Sequence, residues 1–318
     1  MAAVVRVDKV AKYYGAFAAV SDLSFSIEAG EVIGLLGLNG AGKTTTLKLC
    51  SGLLSATSGT VEIGGRNLYR EPTEICQQIG FSPEHPPLYS EMGVRDFIRF
   101  VAQIKGVRQG LEQAVDEALS LTDLREVESE TVGTLSHGYQ RRVGIAQAIV
   151  HRPQVILLDE PTSGLDPVQI VHMRELVQEL RTRHTILLSS HILHEIHQAC
   201  DRILVLEGGQ IVAQGTEQEL AARMQTSLRL AIEVRGERGA LEQLFANCDW
   251  LQERSMSQRA EFICAEVELK EDRREELAQL LIQGGFGLLR LEPIDLELEN
   301  IFLSLTAPEM GKAREMHS

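Results

Sequence analysis

Residues 34–46 read Gly-Leu-Leu-Gly-Leu-Asn-Gly-Ala-Gly-Lys-Thr-Thr-Thr. From Gly37 to Thr44 they follow the pattern G-x-x-x-x-G-K-[ST]. Such a loop can cradle phosphate. Its glycines turn backbone N–H groups inward and let an anion approach closely. A helix starting at its end adds partial positive charge. Lys43 would reach the β- and γ-phosphates, and Thr44 would offer its hydroxyl to Mg²⁺.

A second cluster is Val155-Ile156-Leu157-Leu158-Asp159-Glu160-Pro161, an apolar run ending in two carboxylates. On its own this reads as a strand running into an acidic turn. Opposite a phosphate loop, Asp159 is placed to hold Mg²⁺. Glu160, one residue on, would accept a proton from attacking water. His191, His194 and His197 fall three apart, with Cys200 next. A metal site there is disfavoured, because no carboxylate or thiol pair sits at zinc spacing. Arg141-Arg142 reads as a helical pair that salts with carboxylates rather than with phosphate.

These groups need a sheet to hold them. Glu31–Leu36, Val155–Asp159 and Thr185–Ser189 are continuous apolar runs that suit buried parallel strands. Lys43–Leu49 predicts a helix stopping near Gly52. Val4–Val7, Leu23–Ile27 and Thr60–Ile63 look like antiparallel strands. Residues 92–130 carry helical spacing, as in Phe97, Phe100 and Ile104, and predict a helical insertion. Residues 1–220 therefore form one domain, with a helical subdomain at about 92–150.

Residues 221–306 change character. Strands at Leu228–Val234, Trp250–Arg254, Glu261–Glu268 and Phe286–Leu291 alternate with helices at Ala240–Ala246 and Glu271–Gln283. That β-α-β-β-α-β order is ferredoxin-like. Asp295–Leu305 reads as an amphipathic stretch that packs on a core or partner, and residues 307–318 as a frayed tail.

The chain has 318 residues, room for about two domains. A net charge of −14 argues against broad binding to nucleic-acid phosphates. Five scattered cysteines fit reduced thiols rather than a disulfide framework. The N-terminus does not read as a signal peptide, and no uncharged apolar run approaches the ~20 residues of a membrane span. The expectation is a cytoplasmic protein.

Leu135-Ser136-His137-Gly138-Tyr139-Gln140, shortly before the Asp159–Glu160 run, resembles the signature of ATP-binding-cassette (ABC) ATPases. Ser163-Gly164-Leu165-Asp166 looks like that family's D-loop, and Ser189-Ser190-His191 like its switch histidine. All five motifs occur in the family's order. The resemblance implies an α/β P-loop NTPase with a mixed core sheet, an antiparallel β-subdomain and a helical subdomain. It implies ATP and Mg²⁺ as ligands. Asn39, Gly40, Ala41, Gly42, Lys43, Thr44 and Thr45 would hold ATP, with Tyr14 stacked on adenine. Glu160, His191 and Lys43 would be catalytic; Thr44, Glu84 and Asp159 would face Mg²⁺. Ser136, His137 and Gly138 would meet the ATP of a second subunit, taken as another copy of this chain, and Asp166 would work across the dimer interface. Glu84 stands where the family usually has Gln. His137 and Tyr139 replace the usual Gly and Gln.

Pro83-Glu84-His85-Pro86-Pro87-Leu88-Tyr89, the signature as it stands, and Glu299-Asn300-Ile301-Phe302-Leu303 resemble the bacterial branch that drives drug, lipid, polysaccharide and gliding-motility exporters. That implies separate transmembrane permease subunits. Residues 81–101 would face them from the inner surface of the cell membrane. The alternative is a soluble ABC ATPase acting on ribosomes or DNA. Such proteins usually carry two cassettes or a long coiled coil with basic linkers, and this chain has neither.

Overall fold

The structure is a computed structural model. It describes residues 3–192, 199–216, 218–220, 228–259, 262–269 and 271–293. The chain divides into two compact units, Met1–Glu217 and Gln218–Ser318.

The first unit holds two sheets. In one, β1 (Ala3–Tyr14), β2 (Phe17–Glu28), β4 (Ser58–Ile63) and β5 (Arg66–Asn67) lie antiparallel in the order β2-β1-β4-β5. The other contains β3 (Val32–Leu36), β6 (Ile79–Ser82), β7 (Val155–Leu158), β8 (Thr185–Ser190), β9 (Arg202–Glu207) and β10 (Gln210–Gly215). Its order is β10-β9-β3-β8-β7-β6, parallel except for the β10 edge. Every residue of β3, β7 and β8 is buried. Parallel strands covered on both faces must be apolar throughout, which is why these runs lack alternation. Leu36 pairs with Ser190, and Leu158 with Leu188. The segments that follow β3, β7 and β8 therefore leave from neighbouring positions on one sheet edge, where α/β sheets bind ligands.

Among its described residues the unit has six α-helices: α1 (Lys43–Cys50), α2 (Pro72–Cys76), α3 (Val94–Ile104), α4 (Leu111–Leu121), α5 (His137–Ile149) and α6 (Pro167–Leu180). α3, α4 and α5 pack together. Val94, Phe97, Ile98 and Ala102 form the buried stripe of α3, the spacing of an amphipathic helix. Arg95 binds Glu128 at 3.0 Å and Asp116 at 2.5 Å, tying α3 to α4 and to the turn beyond it.

α5 lies on β6 without a cushion of side chains. A Cβ on Gly80 would stand 2.1 Å from the Ala148 carbonyl oxygen. One on Gly144 would stand 2.8 Å from Pro86 Cγ and 3.2 Å from Ser82 Oγ.

In the second unit, β11 (Leu228–Arg235), α7 (Arg238–Ala246), β12 (Leu251–Arg259), β13 (Phe262–Leu269), α8 (Arg274–Gln283) and β14 (Gly287–Pro293) follow the β-α-β-β-α-β order. The sheet order is β12-β13-β11-β14, with every neighbouring pair antiparallel. Leu230, Ile232, Val234, Ile263, Ala265 and Val267 bury one face against Leu241 and Phe245 of α7 and Leu277 and Leu281 of α8. Two predicted bounds are corrected. The second strand continues past Arg254 to Arg259, because its hairpin register with β13 persists to Arg259↔Phe262. The second helix begins at Arg274 rather than Glu271, with Arg273 at its N-cap position and the Asp272 carboxylate accepting from the Arg274 N–H at 3.4 Å. His194, His197, Asp295–Leu305 and residues 307–318 lie outside the described residues.

Two predictions follow from the packing of α5. Gly80→Ala forces a Cβ into the Ala148 carbonyl and is expected to destabilise the first unit by about 1–3 kcal/mol in urea melts. Just beyond α5, His151 Nε2 lies 3.1 Å from the Ile79 carbonyl oxygen, while its buried Nδ1 has no partner. Burial, then Lys105, push this imidazole down from 6.5 to about 4. The folded ring stays neutral where the unfolded ring takes a proton. The resulting stabilisation, about 3 kcal/mol, is complete above pH 6.5 and lost as pH falls towards 4. His151→Met should flatten that part of the stability–pH curve.

Candidate functional site

The phosphate loop hangs from β3. Gly37 is held by close approach: a Cβ there would meet the Leu206 carbonyl oxygen at 2.6 Å and Ala41 Cβ at 2.9 Å. Gly42 precedes the first turn of α1 with φ of 104°, a conformation open to glycine and costly for other residues. Ala41 lies buried behind the loop, its N–H donating to the Leu38 carbonyl at 3.1 Å. Lys43 opens α1 and is only 6% exposed. Its Nζ donates to the Gly37 carbonyl at 2.7 Å and the Leu38 carbonyl at 3.3 Å, and pairs with Glu160 Oε1 at 3.3 Å.

Asp159 and Glu160 follow β7 as predicted. Asp159 Oδ1 accepts from Ser189 Oγ at 2.7 Å and from Thr44 Oγ1 at 3.2 Å. Burial raises the Asp159 carboxyl above the usual carboxylate range; the two hydroxyls pull it down, and the charges of Glu160 and Glu84 push it up. Glu160 has φ of 47°, a left-handed backbone uncommon outside glycine and a form of strain that clusters at functional sites. Its N–H donates to Ser189 Oγ at 2.9 Å, and its Oε2 lies 2.8 Å from His191 Nδ1. Lys43, Glu160 and His191 thus form one chain of contacts.

These groups line a cleft of about 400 Å³. Asn39, Gly40, Gly42, Lys43, Thr44 and Thr45 form its floor, with Glu84, Glu160 and His191 beside them. Tyr14 stands in the wall, half exposed, with Lys12 Nζ 5.4 Å from its ring centre. Sequence reasoning missed Phe17, Ala19 and Ser163, which also line the cleft. It also missed Ser189 as a bonding group. The available signal was a pair of hydroxyls closing an otherwise apolar strand, Thr185-Ile186-Leu187-Leu188-Ser189-Ser190. A larger hollow of about 730 Å³ lies elsewhere, beside α4 and the end of α5. Glu117 lines it, paired to Arg152 and Arg183, so its charges answer one another.

Ser136, His137, Gly138 and Asp166 are not part of this cleft. Ser136 caps α5, its hydroxyl accepting from the Tyr139 N–H at 3.5 Å. The first turn of α5 carries no acidic residue. His137 is exposed. Gly138 is packed so tightly that a Cβ would stand 2.8 Å from the Gln169 side chain. Asp166 caps α6 through a capping box with Gln169. Gly138 and Asp166 share a separate hollow. Arg142 pairs with Asp123 at 2.8 Å, as predicted. Arg141 does not fit its prediction: it is buried and donates to the Ser163 carbonyl oxygen at 3.4 Å. Among the described residues no cluster of His, Cys, Asp or Glu is arranged to hold a metal ion by itself, and no helix is long and apolar enough to cross a membrane.

The family model "ABC transporter" matches residues 20–163. The bacitracin transport ATP-binding protein BcrA of Bacillus licheniformis is 37% identical over 67% of this chain and 70% of its own length. The linearmycin resistance ATP-binding protein LnrL of Bacillus subtilis (strain 168) is 31% identical over 94% of this chain and 97% of its own. A solved dimeric structure of the ATP-binding cassette MJ0796, bound to ADP and Pi in a post-hydrolysis state, is 25% identical with a TM-score of 0.62. It covers 67% of this chain and 98% of that one. The phosphate loop, the carboxylate strand and these relatives agree: this chain belongs to the ATP-binding proteins of ABC transporters and is an ATP-hydrolysing cassette.

Proposed function

We propose that the chain is the ATPase subunit of an exporter, working as a homodimer beneath separate transmembrane permease subunits on the inner face of the cell membrane. The observation that carries the catalytic part is the Lys43–Glu160–His191 contact chain. Lys43 is bound to two loop carbonyls and to Glu160. Arriving β- and γ-phosphates offer it a stronger anion. Lys43 then turns to the phosphates and releases Glu160 Oε1, while His191 keeps Oε2. The freed oxygen takes the proton of a water whose oxygen attacks the γ-phosphorus. The bond to ADP breaks, and ADP leaves with the electron pair. Ser189 holds Glu160 and Asp159 in register throughout. Tyr14 stacks on the adenine, the exposed aromatic wall suiting a base.

Mg²⁺ fits the donor set. The Thr44 hydroxyl and the carboxylates of Asp159 and Glu84 are hard oxygen ligands. Asp159, raised by burial among like charges, is a group whose charge a cation would favour. Mg²⁺ would supply charge neutralisation at the phosphates; those three residues would hold it.

Ser136, His137 and Gly138 would meet the partner's ATP, with Asp166 at the shared interface. Their place outside their own cleft supports this, as does the N-terminus of α5, whose first turn carries no acidic residue and suits an anion. The dimeric MJ0796 structure supports a cassette pair. The roles named for BcrA and LnrL, bacitracin transport and linearmycin resistance, favour export. Residues 81–101 would face the permease. There Tyr89 is exposed and packs edge-on against Phe97 and Phe100, at 6.0 and 5.7 Å between ring centres. The second unit, with no ligand motif, would stabilise or regulate the dimer.

Lys43→Ala is expected to weaken ATP binding more than about tenfold, or ~1.4 kcal/mol; unchanged affinity by calorimetry overturns the phosphate role. Glu160→Gln should retain ATP and elute as a dimer, with phosphate release slowed about 10²–10⁴-fold. Wild-type turnover in that variant overturns the general base. Purification from native membranes in mild detergent should bring down a polytopic membrane protein in near-equal amount. Ribosomal or DNA-associated partners instead would overturn the exporter reading.

A further inference from the structure

Arg141 is a buried charge for which the hydrolysis described above has no use. Lys43 and Arg141 are the two buried lysine or arginine side chains among the described residues, at 6% and 4% exposure. Lys43 has three partners. Arg141 has one long hydrogen bond, to the Ser163 carbonyl at 3.4 Å, and its Nε–H is buried with no partner. An unsatisfied buried donor of this kind is costly, so a partner that arrives later would be bound with advantage.

The surroundings say which partner. Gly138, Arg141 and Gly144 lie three apart along α5, all on its buried side, and residues at that spacing share a face. A Cβ on Gly144 would meet Pro86 and Ser82, which bracket Glu84. The same face at Arg141 meets Ser163, three residues past Glu160. Glu84 and Ser163 both line the ATP cleft. Burial works against the guanidinium's charge; Glu84 favours it most among the carboxylates, followed by Asp159 and Glu160.

We propose that Arg141 is a positioning residue for hydrolysis, which takes the Glu84 carboxylate on its spare N–H as the cleft closes on ATP. The proposal rests on the assignment of Glu84 and Glu160 to the ATP site. Three carboxylates round a polyphosphate repel it and one another. Lys43 goes to the phosphates, and Arg141 remains to hold the extra carboxylate at position 84. α5 begins at His137 with Ser136 as its cap, so the same helix that would face the partner's nucleotide also holds Glu84 beside its own.

The test is a double-mutant cycle in the full-length chain with Arg141→Met and Glu84→Gln. Arg141→Met alone should lower kcat about tenfold or more while KM for ATP moves less than about threefold. In the Glu84→Gln background the same change should cost less than about twofold, because the charge it balanced is gone. Calorimetric ATP binding should likewise change less than about threefold in either single variant, which places the loss in the catalytic step rather than in binding. Equal losses in both backgrounds, or no loss from Arg141→Met, would overturn the proposal. If Arg141→Met does not fold, Arg141→Gln, which removes the charge but keeps an N–H donor, takes its place in the cycle under the same criterion. Glu160→Gln, measured alongside, separates the two claims. If it still hydrolyses ATP, the site assignment fails; if it is inactive while Arg141 and Glu84 act independently, only the positioning role fails.

Discussion

Lys43 is a cation held out of water, and the first unit is arranged round what that requires. Desolvating an ammonium group is costly unless it is paired and hydrogen-bonded. Two carbonyls of its own loop and the Glu160 carboxylate do this. Those three oxygens come from two strand ends, β3 and β7, so the pairing demands that both strands finish at the same edge of the sheet. β8, which lies between them, contributes Ser189 and His191, and these pin Glu160 from its backbone and its far oxygen. A buried charge thus fixes a register, and the register assembles the site.

Much of this was legible in the residues. Continuous apolar runs marked β3, β7 and β8, since strands covered on both faces need no alternation. The glycine spacing marked the loop because backbone must lie where side chains cannot. Ser189 escaped notice for the opposite reason. A serine in a buried strand has no periodicity of its own; its meaning comes from Asp159 and Glu160, 30 and 29 residues away in sequence. Phe17 was hidden likewise, being placed in the cleft by a strand of the other sheet.

Arg141 shows where pattern reading misleads. Two adjacent arginines look alike on paper, but on a helix adjacent residues point about 100° apart. Arg142 reaches Asp123 on the surface; Arg141 turns inward. In the second unit, Leu230, Ile232 and Val234 of β11 and Ile263, Ala265 and Val267 of β13 alternate onto the core face. The extent of β12 could not be told, because Arg254–Arg259 carries polar residues whose pairing is decided by the neighbouring strand.

The glycines at 80 and 144 have a mechanical meaning. Elsewhere helices ride on sheets over a layer of side chains that can change rotamer and absorb small displacements. Here the α5 backbone rests on β6 and the Pro86 turn almost directly. A contact with nothing compressible in it behaves as a strut. A push on the Ser136 end of α5 has no soft layer in which to dissipate, and must appear as motion of the Pro86 turn or not occur at all.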